Sequence, residues 1–208
     1  TAFDDLQVAL GVAATCPGLE VWVADGDYQP TAGTDRSASF DIPSGTKLYG
    51  GFAGGESGLL DRDAEANQAT LTGDLDGDQD EADNSFHVVT LDNVAAGTLV
   101  DGFTIAWGNA DGGGDDAGGG GVRVDDGSPT LANLTIVSND GTEGAGVFID
   151  GGSAELLRSV VDGNSATIHA GGIRVEGGAD VDIVNTRVTA NSTDLANAAG
   201  IDVRASTV

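Results

Sequence analysis

Five aspartates fall within ten residues: Asp74, Asp76, Asp78, Asp80 and Asp83, with Glu81 among them and Gly77 in the turn. Alternating Asp side chains around a glycine can converge carboxylate oxygens on a hard cation, and calcium takes about six to eight oxygen ligands. Without a cation these charges repel one another. Asp74, Asp76, Asp78, Asp80 and Asp83 are therefore the candidate metal ligands, and calcium is the candidate cofactor. Magnesium fits less well, because it prefers few protein ligands. The match to an EF-hand loop is partial. Asp74, Asp76 and Asp78 fit its first, third and fifth positions, but Gln79 stands at its glycine and Ser85 at its bidentate glutamate. A solvated acidic turn is the alternative reading of the same residues.

Other chemistry-bearing residues give weaker signals. Asp111, Asp115 and Asp116 lie in a Gly-rich loop, residues 108–121, which reads as flexible and solvated. Arg123 and Arg174 share the outward face of two strands with Phe148 between them, a column that suits cation–π stacking better than base catalysis. His87 and His169 are far apart and lack a nearby Ser or Cys nucleophile pattern, so each reads as structural or exposed. Cys16 reads as a buried, inert thiol. Trp22, Tyr28, Tyr49 and Trp107 could form a sugar-stacking platform, but packing under irregular loops is preferred. No catalytic residue is assigned, and the chain reads as a non-enzyme.

Composition narrows the classes. The 208 residues carry 34 acids against 8 bases, a net charge of −26, with 27 Asp and 34 Gly. Such a chain is a poor nucleic-acid ligand, since phosphate neutralisation needs clustered Lys and Arg. No apolar run approaches the roughly 20 residues of a membrane-spanning helix. One cysteine permits no internal disulfide. Yet 39% of residues are hydrophobic, too many for a disordered acidic tail.

The elements that must hold these residues are repeats. Gly120-Gly121-Val122, Ala145-Gly146-Val147, Gly171-Gly172-Ile173 and Ala199-Gly200-Ile201 are one recurring tripeptide, its middle glycines 25, 26 and 28 residues apart. Between them Asn139, Asn164 and Asn191 recur at 25 and 27 residues. After each glycine, Val122 and Val124, Val147 and Ile149, Ile173 and Val175, and Ile201 and Val203 alternate with outward residues, which predicts short strands. A second strand is expected over Leu131 to Ile136, Leu156 to Val161 and Ile183 to Val188. Two or three short strands per 26 residues describe one coil of an all-β, single-stranded parallel β-helix. Right-handed crossovers are the general rule. Gly121, Gly146, Gly172 and Gly200 then serve corners that need a positive φ or a close backbone approach. Asn139, Asn164 and Asn191 form a structural ladder.

Three regions are expected. Residues 1–17 hold a capping helix, with Thr1 as its cap, Asp4 and Asp5 in its first turn, and Phe3, Leu6, Leu10 and Ala13 on one face. Residues 18–110 form irregular coils with loops at 25–39 and 53–69. Residues 111–208 form regular coils. About seven coils result in one continuous solenoid, read as a piece of a longer protein.

The repeats resemble the polymorphic outer-membrane protein repeats of chlamydiae and their bacterial relatives, which alternate GG[AIL] with FxxN. Gly171-Gly172-Ile173 matches the first motif; Asn139, Asn164 and Asn191 match the Asn of the second, with Ile136, Val161 and Val188 in place of its Phe. Residues 119–140 also resemble a GGGxxxxxGSPTLxNxTxxxN repeat of bacterial surface proteins. Val21 to Tyr28, Leu48 to Phe52, Asn84 to Val89 and Asp101 to Ile105 are similar to the leader region of the same proteins. The resemblance implies a secreted or cell-surface location and an adhesive or structural role. Expected partners are cell-surface or host glycans and proteins, or copies of the chain itself, with no direct membrane insertion. Two alternatives stay open: a carbohydrate-active β-helix, and a self-assembling filament or surface-layer subunit.

Overall fold

The computed structural model describes residues 3–78, 80–195 and 197–204. It is a β-solenoid of about seven stacked coils with roughly 27 residues per turn. Strands one coil apart pair in parallel, building three six-stranded sheets and one four-stranded sheet. Register is one-to-one through the repeats. Val122, Val147, Ile173 and Ile201 align, as do Val124, Ile149, Val175 and Val203. The first three of each row are buried, and with Leu48, Val100, Leu131 and Leu156 they belong to one continuous aliphatic core.

Each coil turns at single residues in the left-handed region, and these also recur in register. One corner uses Gly102, Asn133, Arg158 and Asn185; another uses Trp107, Ser138, Gly163 and Ala190. Asn93, Asp126, Gly151 and Gly177 form a third, and Gly119, Gly144 and Ala170 a fourth. An L-residue held there costs about 1–2 kcal/mol, which the packed coils on either side outweigh. These corners divide the segments expected as one second strand. Asn133 separates Thr130–Ala132 from Thr135–Val137, and Arg158 separates Ser153–Leu157 from Val160–Asp162. The coil therefore carries up to four strands rather than two or three.

The recurring glycines obey a different constraint. At Gly146 a Cβ would lie 2.7 Å from the Gly172 carbonyl oxygen and 3.0 Å from Asn164 Nδ2. Close approach, not positive φ, explains these positions. The missing Cβ makes room for the asparagine amide, so the two sequence marks are one device.

A helix, Leu6–Ala13, lies at the N-terminal end and buries Leu6, Ala9, Leu10 and Ala13. Its cap is Asp5, whose side chain accepts from Gln7 N; Thr1, the expected cap, lies outside the described residues. Phe3 is not on the buried face but 42% exposed. Gln7 Nε2 ties the helix to the coil by donating to the Pro30 and Ser39 carbonyls at 2.9 and 2.8 Å. Cys16 is exposed, contrary to expectation; it follows the last helical turn, past the buried face that ends at Ala13.

Candidate functional site

The acidic segment leaves the stack after the strand Ala69–Thr72 and returns at Ser85, whose N–H donates to the Gly73 carbonyl at 2.9 Å. Its aspartates first organise their own backbone. Asp74 accepts from Gly77 N at 2.8 Å, Asp76 from Asp78 N at 3.1 Å, and Asp78 from Asp80 N at 2.7 Å. Successive Asp side chains that bond the backbone two or three residues on make a tight run of turns. The turns bring carboxylate oxygens of Asp74, Asp76 and Asp78 within 4.8 Å of one another. Asp74 is buried at the base, and Asp76 and Asp78 are exposed.

Asp80 and Asp83 fall outside that group. Asp80 caps the short 3₁₀ turn Glu81–Asp83 by accepting from Ala82 N at 3.0 Å. Asp83 Oδ1, both side-chain polar atoms of Asn84, and Ser85 Oγ are buried without a hydrogen-bond partner among the described residues. Sequence spacing signalled Asp83 among the acids but not the side chains of Asn84 and Ser85. Three converging carboxylates with further buried oxygens nearby in the chain are a donor set suited to a hard cation.

The Asn ladder takes the structural form expected of it. Both N and Nδ2 of Asn139 donate to Asn164 Oδ1, at 3.0 and 2.9 Å, and Asn164 does the same to Asn191 at 2.9 and 3.0 Å. The side-chain amides also donate to the Ile105, Ile136 and Val161 carbonyls, so the ladder is spent on stacking coils.

The Arg123, Phe148, Arg174 column is also in register, with Asp202 following. Arg123 lies 5.1 Å from the Phe148 ring centroid. All three side chains point outward from the coil yet are buried. Arg174 is enclosed by Glu143, Glu176 and Asp202, and Arg123 and Phe148 are covered by the loop expected to be flexible. Its acids each face a different partner: Asp111 pairs with Arg36 at 2.7 Å, Asp115 with Arg123 at 3.6 Å, and Asp116 lies 3.8 Å from the His87 ring. Gly118 packs on the Phe148 ring, where a Cβ would meet it at 2.8 Å. The loop is anchored, and its aspartates diverge rather than gather round a metal. His87 is buried beneath it with Nδ1 3.0 Å from the Gly119 carbonyl oxygen, and burial lowers its pKa. His169 contacts Arg204 at 3.0 Å.

The four aromatics do not form one platform. Tyr49 is buried with Arg62 above it, while Trp22 is 39% exposed beside Tyr28 in an N-terminal groove. Trp107 occupies a left-handed corner on a different coil edge. Comparison of the chain with protein-family models, with curated proteins and with solved structures gives no match. Among the described residues no helix is long and apolar enough to cross a membrane.

Proposed function

We propose that the chain is a structural or adhesive module of a bacterial cell surface, a stiff acidic solenoid whose 73–85 excursion is set by calcium. The observation that carries the calcium part is the convergence of Asp74, Asp76 and Asp78 oxygens within 4.8 Å. A cation there would relieve three like charges on a loop that already holds them by backbone bonds. The surface role rests on the repeat resemblance together with continuous coil-to-coil packing, which supplies rigidity.

Calorimetric titration of chelator-treated protein with calcium, beside thermal melting with calcium or chelator, tests the reading. Saturable binding at one site and a melting point raised by calcium are expected, with both lost in Asp74→Asn/Asp76→Asn. Binding is expected in the weak range of extracellular modules, Kd about 10⁻⁴–10⁻³ M. Indistinguishable melts with no binding heat would remove calcium from the account.

The carbohydrate-active alternative has one observation behind it. Asp125, Asp150 and Glu176 align on successive coils, and Asp150 and Glu176 line a cleft of about 190 Å³ together with Arg123 and Phe148. Burial raises the pKa of Asp150, with Glu176 and Asp125 adding to it. A carboxyl group with a raised pKa beside a second carboxylate is the pairing glycoside hydrolysis uses. Product release from acidic or neutral polysaccharides, abolished by Asp150→Asn, would replace the structural reading with this one.

A further inference from the structure

Three rings of this chain carry a guanidinium of the same chain, and each guanidinium also pairs with a carboxylate. Arg36 lies 4.3 Å over Phe86 and pairs with Asp111 at 2.7 Å. Arg62 lies 5.1 Å over Tyr49 and pairs with Asp101 at 2.5 Å. Arg123 lies 5.1 Å over Phe148 and pairs with Asp125 at 2.7 Å. Indole attracts cations more strongly than either of those ring types. Yet among the described residues no guanidinium lies over Trp22.

Trp22 is built into the end of a stack. It lies parallel to Phe52, with ring centroids 4.8 Å apart and planes within 7°. Phe52 covers one face of the indole. The rest borders a groove of about 590 Å³ between the helix and the first strands, a volume that suits a side-chain-sized ligand. Its lining includes Asp5, Glu20 and Glu56 and no Lys, Arg or His of the described residues.

The carboxylates are held in place. Glu56 accepts from the backbone N–H of Ala53, Gly54 and Gly55 at 2.6, 2.9 and 2.9 Å. Asp5 accepts from Gln7 N at 2.7 Å. These neutral donors fix the anions without cancelling their charge. Glu20 stands two residues before Trp22 on the same outward face of the strand Glu20–Ala24. Its only ion pair among the described residues is an exposed one, with Lys47 at 3.7 Å, and exposed pairs are weak.

We propose that this groove docks an arginine side chain from a basic segment of a partner protein. The guanidinium would stack on the free side of Trp22, and Glu20 and Glu56 would neutralise it. Charge decides the occupant: among the described residues three carboxylates and no cation line the groove, on a chain of net charge −26. The same ring, guanidinium and carboxylate grouping closes three other places on this surface with the chain's own arginines. A planar guanidinium suits both the stack and a carboxylate better than an ammonium does. The inference depends on neither calcium nor the adhesive reading.

The test titrates the 208-residue chain with three probes at physiological salt: a capped Gly-Arg-Gly-Arg-Gly peptide, its lysine counterpart, and a neutral oligosaccharide. The two indole N–H resonances, assigned with W22F, report which tryptophan responds. The arginine peptide is expected to shift Trp22 and leave Trp107 unmoved. Its affinity should exceed that of the lysine peptide and should fall about five- to thirtyfold in Trp22→Ala. Glu20→Gln changes an exposed side chain; it should weaken binding about two- to fivefold at an unchanged melting temperature. Equal affinity of the parent and both variants would overturn the proposal, since the peptide would then sense only overall negative charge. So would a Trp22 shift with the oligosaccharide and none with the arginine peptide. If Trp22→Ala melts early, Glu20→Gln decides alone, and unchanged affinity there overturns the proposal.

Discussion

Asn139, Asn164 and Asn191 bond one another through the interior of the later coils. Among the described residues the earlier coils have no such chain of asparagines. They are closed instead by two arginines reaching in from loops. Arg36 donates to the Asn84 and Asn109 carbonyls at 2.6 and 3.1 Å, and Arg62 donates to the Gly50 carbonyl at 3.1 Å. The later coils are held by identical contacts between residues one coil apart, repeated in register. The earlier ones are held by single, unrepeated clamps that join segments 12 to 75 residues apart. In this chain each of two excursions sends back a cation that satisfies coil carbonyls, Arg36 those of Asn84 and Asn109 and Arg62 that of Gly50.

The largest expected effect lies in the ladder. Asn164 is fully buried and its amide serves two neighbouring coils. In Asn164→Ala, Asn139 N, the Ile136 carbonyl and Asn191 Oδ1 all lose a partner in a space closed to bulk water. A loss of about 3–4 kcal/mol is expected from chemical denaturation, given about 1–3 kcal/mol for each buried group left unpaired. Asn191→Ala, at a half-buried rung, should cost clearly less. Equal losses at the two positions would mean that the rungs are not coupled to burial and would break the comparison.

The ladder was legible in the sequence because glycine and asparagine recur at matching intervals, and both residue types have few roles at such spacing. Gly146 is read from its recurrence with Gly121 and Gly172, and Asn164 from its recurrence with Asn139 and Asn191. The first half was less legible. Arg36 and Arg62 sit in loops with no repeat, and nothing local says which carbonyl a long side chain will reach. Corners were hidden for a related reason. Arg158, Ala170 and Trp107 hold positive φ, although none is a residue type that signals a turn; neighbouring coils impose the geometry. The acid cluster was visible as composition, but which of its members converge depends on turn geometry. Asp80 is spent on capping a 3₁₀ turn, which spacing alone does not reveal. The covered Arg123 column shows the same limit: a two-residue period gives the face of a strand but not what lies over that face.

An intermediate effect is expected at the clamp. The Arg62 and Asp101 side chains are only 19% and 10% exposed. Truncating one partner of a fully buried pair costs about 3–5 kcal/mol. The residual exposure reduces this, so Arg62→Ala should destabilise by about 2 kcal/mol. Asp101→Asn in the Arg62→Ala background should add little, because the two act on one interaction. Limited proteolysis should cut first within residues 53–66. Additive losses, or cleavage elsewhere, would show that the loop is held by something other than Arg62.

The smallest effect is expected where the two regions meet. Asp140 belongs to a strand of the regular half, Asp140–Glu143, and Glu81 to the acidic excursion of the irregular half. Burial, then the charge of Glu81, raises the Asp140 pKa to about 6. An unfolded aspartate titrates near 3.9. Between these values the folded chain binds more protons than the unfolded one, so this group lowers stability as pH rises from about 4 to about 6. Asp140→Asn, which keeps shape and removes the titration, should therefore match the parent near pH 4 and exceed it above pH 6. The gain should be on the order of 1 kcal/mol after allowance for solvent screening. Glu81→Gln should shrink that gain by removing the opposing charge across the boundary. A difference between Asp140→Asn and the parent that is the same at pH 4 and pH 7 would mean that the junction carries no such strain. The excursion would then rest on the regular coils without electrostatic cost.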